Sequence, residues 1–429
     1  MKNAPRQRAA CDVTTAHRLR TPAANLRTFH AASAAEGLVR STGPFQTVAV
    51  TFWLFHEGYG YALVGVAVAL PILGATLGSI VGGWLADRIG PLTLLARLNG
   101  ILALLATALL ASTVFGRGVA WMVIFIGTTY SIVNGMTGPG QRSLTPNLLD
   151  EEDYQHGNAV YSGVTNISSL VGPLLGGVVF SIGGLGLAVG INIAALAVGA
   201  MTLIGLSRGL AATASPQAPG SHAPFARSVS AALKYTAQHH WLLLLFAVDA
   251  IMDLITSGQF QVGFRVLANQ NGGAGAFGLI MAAYGLGAIA GAMLGSRLKA
   301  KSSTAYRMVM LSNIAQAPLI ALLPFVSMPM MLGMLLPIGA LNGVSNVLYM
   351  TLVFRNTPQE MAGRISALFL AASLSLQPVG IFVFGLLAGG GWIGTVFIGT
   401  AVAMILVSVI AVILWNRVGL PPTAADSPG

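Results

Sequence analysis

Apolar stretches long enough to cross a lipid bilayer recur about a dozen times along this chain of 429 residues, and no other feature restricts its fold as strongly. About 20 apolar residues, rising 1.5 Å each, cross a hydrocarbon core of about 30 Å. Such stretches lie near 27–55, 61–86, 92–113, 119–140, 157–181 and 184–206, then near 241–264, 275–297, 306–326, 329–354, 363–389 and 391–415. Only 8% of the residues are charged, against about 25% in an ordinary soluble domain. So few charges cannot cover a water-exposed surface, which excludes a cytosolic globular enzyme. The length of the apolar runs excludes collagen-like and disordered classes. The expected fold is an all-α membrane protein with twelve transmembrane helices.

The basic excess, 22 Lys and Arg against 12 Asp and Glu, would suggest nucleic acid in a soluble chain. Its placement suggests a membrane orientation instead, with the bilayer as partner and no nucleic acid. With a cytoplasmic N-terminus, nineteen of the 22 basic residues fall in tails and cytoplasmic loops. Arg117 and Arg265 fall on the other side, and Arg40 lies within a span. The positive-inside rule therefore places both termini in the cytoplasm and the chain in the cell (plasma or inner) membrane. The first 27 residues are Arg-rich and almost free of acids, a composition that an organellar transit peptide would share. The single cysteine, Cys11, lies in this tail, so no intrachain disulfide or cysteine metal site is expected.

The expected organisation is a cytoplasmic tail at 1–26, a six-helix bundle at 27–206, a linker at 207–240, a second six-helix bundle at 241–415 and a tail at 416–429. The linker holds Pro216, Pro219, Gly220 and Pro224, and its stretch 226–238 reads as a short helix on the membrane surface. An offset of 213 carries Gly65, Gly74, Gly78 and Gly82 onto Gly278, Gly287, Gly291 and Gly295, and Arg142 onto Arg355. A series of matches at one offset points to two halves of parallel topology related by a pseudo-two-fold axis, as is common in transporters. The spaced glycines also let helix backbones approach closely.

Most acids lie outside the apolar core. Three remain inside: Glu36 in span 1, with Asp249 and Asp253 in span 7. The same offset maps Glu36 onto Asp249 and Arg40 onto Asp253. From Arg27, Glu36 and Arg40 are roughly 14 and 20 Å deep; from Trp241 the two aspartates are roughly 12 and 18 Å deep. Each pair is spaced i,i+4 on one helix face. A charge at that depth costs about 2.5–3.5 kcal/mol on the mildest scale, so these groups are expected to face protein or water. The four are expected to gather where spans 1 and 7 meet, as a proton-coupling or substrate site of net charge −2 when fully ionised. A purely structural tie between the halves, or a site for a cationic substrate without proton coupling, fits the same residues.

The end of span 2 reads Gly83-Trp84-Leu85-Ala86-Asp87-Arg88-Ile89-Gly90. It resembles the loop signature G-x-L-x-D-R-x-G of the major facilitator superfamily, in the expected place between spans 2 and 3. Two basic residues usually follow that signature, whereas this chain has Pro91 and Leu92, and the second-half copy has lost its aspartate. The resemblance implies a cytoplasmic gate of Gly83, Asp87, Arg88 and Gly90, with Arg364 at the start of span 11 as the partner of Asp87. Gly172-Pro173-Leu174-Leu175-Gly176-Gly177 is similar to the core of the family's antiporter motif. Its Gly172, Pro173, Gly176 and Gly177 are expected to let the helix bend. The stretches Ser230–Tyr235, His239–Leu242 and Asn158–Tyr161 resemble enterobactin-exporter and macrolide-efflux relatives.

The expected function is export of a small molecule (a drug, siderophore or metabolite) by a monomer, coupled to protons through the charged midplane residues, with the alternating access around a central cavity that the resemblance implies. Asn134, Asn342 and Asn346 would supply uncharged hydrogen bonds there, or act as interhelical ties. A proton-linked importer of a small solute, a membrane sensor or scaffold, and a membrane-embedded enzyme are the rival readings. The last lacks any G-x-S-x-G, H-E-x-x-H or phosphate-loop pattern, and no metal or other cofactor is expected.

Overall fold

A computed structural model describes residues 22–113, 119–211, 234–298, 302–357 and 359–418. Residues 1–21 of the expected tail at 1–26, Arg117, most of the linker, and residues 419–429 lie outside the described residues, as do the side chains of Asp87 and Arg364.

Inside a bilayer no water satisfies the backbone, so each span must close its own hydrogen bonds as a helix. Helices occupy all twelve expected places: α1 (Pro22–His56), α2 (Tyr61–Ile89), α3 (Pro91–Thr113), α4 (Ala120–Arg142), the short α5 (Leu144–Leu148), α6 (Tyr154–Ala211), α7 (His240–Gly258), α8 (Phe264–Gln270), α9 (Gly273–Arg297), α10 (Ser302–Leu322), α11 (Met328–Arg355), α12 (Gln359–Gly389) and α13 (Ile393–Val418). No strand occurs among the described residues. The first helix begins at Pro22, ahead of the expected boundary at 27, and the last runs on to Val418. Spans 5 and 6 are two helices, together labelled α6, that meet without a loop at Gly184, whose φ of 63° and ψ of −158° glycine alone adopts without strain.

Among the described residues, eight helical segments are long and apolar enough to cross a membrane, α6 counted once as His156–Arg208 and α7 with α8 counted together as His240–Gln270. Helix α1 falls short of that measure because Glu36, Arg40 and several small polar residues interrupt it. Leu104 and Phe125, each 72% exposed, belong to an outward-facing apolar belt that only lipid would cover.

Glycine contacts show how the halves correspond. A Cβ on Gly78 would strike the Ile132 carbonyl, and one on Gly135 the Ala75 carbonyl, so α2 and α4 cross backbone to backbone. In the second half Gly291 meets Ala340 and Gly343 meets Ala288, where α9 crosses α11. Gly78 and Gly291 are 213 apart, but Gly135 and Gly343 are 208 apart. Likewise Gly172 on Ser41 matches Gly380 on Leu254, so α1 and α7 keep the offset of 213 while α6 and α12 take 208. The second half has lost five residues between its second and fourth spans. This corrects the expected pairing of Arg142 with Arg355: Arg142 corresponds to Met350, and Asn134 to Asn342.

The bundles meet through α2 against α12 and α6 against α9. Gly65 lies on Gly385, and Gly177 on Gly278, one contact made twice by the pseudo-two-fold axis. Both contacts lie far from the membrane face where α1 starts and α13 ends. At this far end one apolar core joins the bundles, including Phe52, Val64, Phe277, Ile381 and Phe384. At the terminal end the core is divided, with Phe29, Leu95 and Leu203 in one bundle and Trp241, Tyr306 and Trp415 in the other.

Candidate functional site

The polar groups of the spans collect in two places, one in each bundle. In the N-terminal bundle Glu36 is only 4% exposed. Its carboxylate accepts a hydrogen bond from Asn99 Nδ2 on α3 at 2.9 Å and another from Gln141 Nε2 on α4. Arg40, one turn along α1, donates through Nη2 to Gln141 Oε1 and lies 5.8 Å from the centre of the Tyr161 ring on α6. One amide thus joins the carboxylate to the guanidinium, and four helices enclose them. Beside them is a cavity of about 20 Å³ lined by Ser33, Thr145 and Thr165, enough for a single water. The buried Thr165 Oγ1 on its wall has no hydrogen-bond partner among the described residues, so a water there would meet polar demand. Further along α1, Thr42 donates to Asn192 Oδ1 at 3.1 Å, and Asn192 Nδ2 donates to Gln46 and Tyr130.

In the C-terminal bundle Asp249 and Asp253 line a cavity of about 320 Å³ among α7, α9, α10, α11, α12 and α13. Asn342 and Asn346 form its α11 wall. Gln377 Nε2 donates to Asp253 Oδ2 at 3.4 Å, and Gln316 Nε2 donates to Asn313 Oδ1 at 2.9 Å. Toward the far end α7 widens into a π-turn at Gln259–Gly263. That turn brings Gln259, Phe260 and Gln261 onto the cavity wall. Local π geometry re-aims side chains in this way and is frequent at functional sites.

The four charged residues expected to gather are therefore divided. Glu36 and Arg40 line the small cavity, and Asp249 and Asp253 line the large one. Asn99 and Gln141 turn the charged face of α1 toward its own bundle. Asn134 lines neither cavity, although its counterpart Asn342 lines the large one. Arg265, expected beyond the membrane, is 5% exposed within α8; it donates to the Gln261 carbonyl and to Gln261 Oε1 and lies 5.1 Å from the Phe277 ring.

The glycines near Pro173 act as contact points. Gly172 lies on Pro44 and Ser41, Gly176 on Phe45, and Gly177 on the opposite bundle. The helix continues through Pro173. At the loop signature after span 2, Gly90 ends α2 with φ 81°, and Arg88 stacks 4.1 Å over Trp84. Gly83 has open space where a Cβ would stand, and Asp87 lies in the last turn of α2.

Sequence reasoning weighed the ionisable groups and missed Asn99, Gln141 and Asn192. Isolated amides in otherwise apolar spans were the available signal, because an amide in hydrocarbon needs a partner.

The profile of the Major Facilitator Superfamily matches residues 37–376. The chain belongs to the major facilitator superfamily. The multidrug efflux pump Tap of Mycolicibacterium fortuitum is 25% identical over 396 residues, covering 88% of this chain and 93% of Tap. The enterobactin exporter EntS of Citrobacter koseri is 25% identical over 354 residues, covering 81% of this chain and 80% of EntS. Among solved structures, a bacterial homologue of the iron transporter ferroportin in an inward-facing state superposes with a TM-score of 0.68 at 15% identity, covering 90% of this chain and 98% of that one. A bacterial homologue of the lysosomal transporter Spinster, also inward-facing, gives 0.65 at 14% identity, covering 92% and 96%. At these identities the solved structures show the fold alone. The chain is thus a multi-pass membrane transporter of a family that carries small-molecule substrates.

Proposed function

We propose that this transporter is a secondary active exporter of the cell inner membrane, driven by inward proton flow, with both termini in the cytoplasm. The observation that carries this reading is the unequal joining of the bundles. They share one apolar core at the far end and have separate cores at the terminal end. With the termini in the cytoplasm this is an inward-facing state, and rocking about the glycine contacts would open the other side. A substrate or proton drives that cycle only by favouring one state over the other. The names of the relatives Tap and EntS support export over import.

Glu36 is the coupling acid in this reading. As a carboxylate it accepts two hydrogen bonds from amides; protonated, it has one oxygen that must donate instead, which breaks the match with Gln141 and frees Arg40. Asp249 and Asp253 are the acids exposed to substrate. Asp87 and Arg364 would latch the terminal end when it closes, a carboxylate there favouring an arginine at a helix N-terminus. The test is transport in everted vesicles and intact cells, after a screen of a deletion strain against drugs, siderophores and metabolites. Glu36→Gln or Asp253→Asn is expected to abolish proton-driven export with normal membrane insertion. Unchanged active export in both variants overturns proton coupling, and concentrative uptake by intact cells would instead establish an importer.

A further inference from the structure

Resting on the reading that the bundles part at the far end, we propose that Arg265 is a positioning residue for transport: it holds the π-turn that forms one wall of the large cavity, and releases it when that end opens. π geometry is rare and local, so something must select it over an ordinary helical turn. Arg265 follows the π-turn Gln259–Gly263 at once, and its Nη1 donates back to the Gln261 carbonyl and to Gln261 Oε1. The guanidinium is thereby tied to the middle residue of the turn. The residues so placed, Gln259, Phe260 and Gln261, line the cavity. Gln259 is 4% exposed, and its Oε1 has no hydrogen-bond partner among the described residues. That oxygen is an acceptor which a substrate N–H or O–H would satisfy.

The same turn touches both places where the bundles meet. Arg265 lies against Phe277, whose neighbour Gly278 sits on Gly177 of the other bundle. A Cβ on Gly258 or Gly263 would strike Phe384, whose neighbour Gly385 sits on Gly65. Phe52 of α1 closes the seam, 5.9 Å from Phe277 between ring centres, and α1 also touches α8. Behind this cover Arg265 is 5% exposed, and its Nε has no hydrogen-bond partner among the described residues. A guanidinium is costly to bury with an unmet N–H, so opening of the far end, which carries Phe52 away, brings water to it. Once hydrated it no longer depends on the Gln261 carbonyl, and the wall loses the group that fixes it.

The first half has no such turn. The offset of 213 carries Phe52 onto Arg265 and Gln46 onto Gln259. Yet α1 runs through these positions as an ordinary helix, and Gln46 Oε1 accepts from Asn192 Nδ2 at 3.2 Å. The arginine, the π-turn and the unmet amide oxygen therefore occur together in the half that holds the large cavity. Packing common to both halves does not require them.

The test uses the full chain in everted vesicles, with Cys11→Ser and one new cysteine, Phe260→Cys, labelled by a membrane-impermeant maleimide from the cytoplasmic face. Arg265→Leu is expected to slow this labelling at least about tenfold, the scale of one lost charged hydrogen bond. Arg265→Lys, which keeps a charged donor, should restore most of it. Asn346→Cys, on the α11 wall of the same cavity, should label equally with Arg265, Leu or Lys in place. Equal labelling of Phe260→Cys in all three backgrounds would overturn the proposal, and so would a fall at both cysteines in Arg265→Leu, the mark of a general disturbance. Release is read by hydrogen exchange across residues 259–267 in detergent, with the far end locked by the oxidised pair Ala62→Cys and Gly389→Cys. Locking should slow exchange at least about tenfold when Arg265 is present and have no effect in Arg265→Leu. Equal exchange in the locked and reduced forms of the chain with Arg265 would overturn release. Export that persists through the lock would overturn alternating access and leave the labelling result standing. Export controlled by the lock, with labelling unaltered by Arg265→Leu, would do the reverse.

Discussion

Glu36 and Asp249 stand at matched places in α1 and α7, 213 residues apart, yet their surroundings have little in common. Glu36 is closed in by Asn99, Gln141 and Arg40 beside a space of about 20 Å³. Asp249 faces a cavity of about 320 Å³. The glycine crossings around them are the same in both halves. A crossing in which a methyl group would strike a backbone carbonyl has no substitute residue, so both copies keep their glycines. A polar side chain facing the bundle interior is limited only by what satisfies it, so the two copies could take different roles: a sealed charged network in one and an open acidic cavity in the other.

If packing is the shared part, Gly78→Val and Gly291→Val should be equally damaging. Each drives a side chain into a carbonyl of the neighbouring helix, with an expected loss of about 3 kcal/mol or more, read as thermal unfolding in detergent. Tolerance in one half alone would break the symmetry of the crossing. Next comes the contrast between the polar sites. Gln141→Leu leaves a buried carboxylate and guanidinium without their bridge and should destabilise by about 3 kcal/mol. Asn342→Ala, on the open cavity wall, should change stability by less than about 0.5 kcal/mol, and equal effects would undo the distinction. Smaller again is Gly184→Ala at the α6 break, where φ 63° strains any other residue by about 1 kcal/mol. Smallest is Trp84→Ala, which removes the stacking of Arg88 at an exposed position, worth about 0.5 kcal/mol.

The architecture was legible because lipid leaves so few options: each apolar run of span length became a helix, down to the doubled α6. The repeat was legible in spans 1, 2, 7 and 8, where the offset of 213 holds. It misled at Arg142, because one offset cannot register a loss of five residues between spans. The acids and Arg40 were found by their depth, but not their division into two places. That depends on which way α1 is turned, and the turn is set by Asn99 and Gln141, whose partners lie 63 and 105 residues away in sequence. The burial of Arg265 against Gln261 and the Phe277 ring was not legible either, because the positive-inside count assigns a side and not a partner.

Alternating access about the far end is the claim on which the rest stands, and a reversible cross-link tests it directly. A Cβ on Gly389 would lie 3.2 Å from the Ala62 Cβ, close to the usual separation of about 3.8 Å across a disulfide. With Cys11 replaced by serine, the pair Ala62→Cys and Gly389→Cys is expected to cross-link under mild oxidation. Substrate export should then stop, and return on reduction. A pair that does not cross-link, or an oxidised transporter that exports at the full rate, would contradict the account.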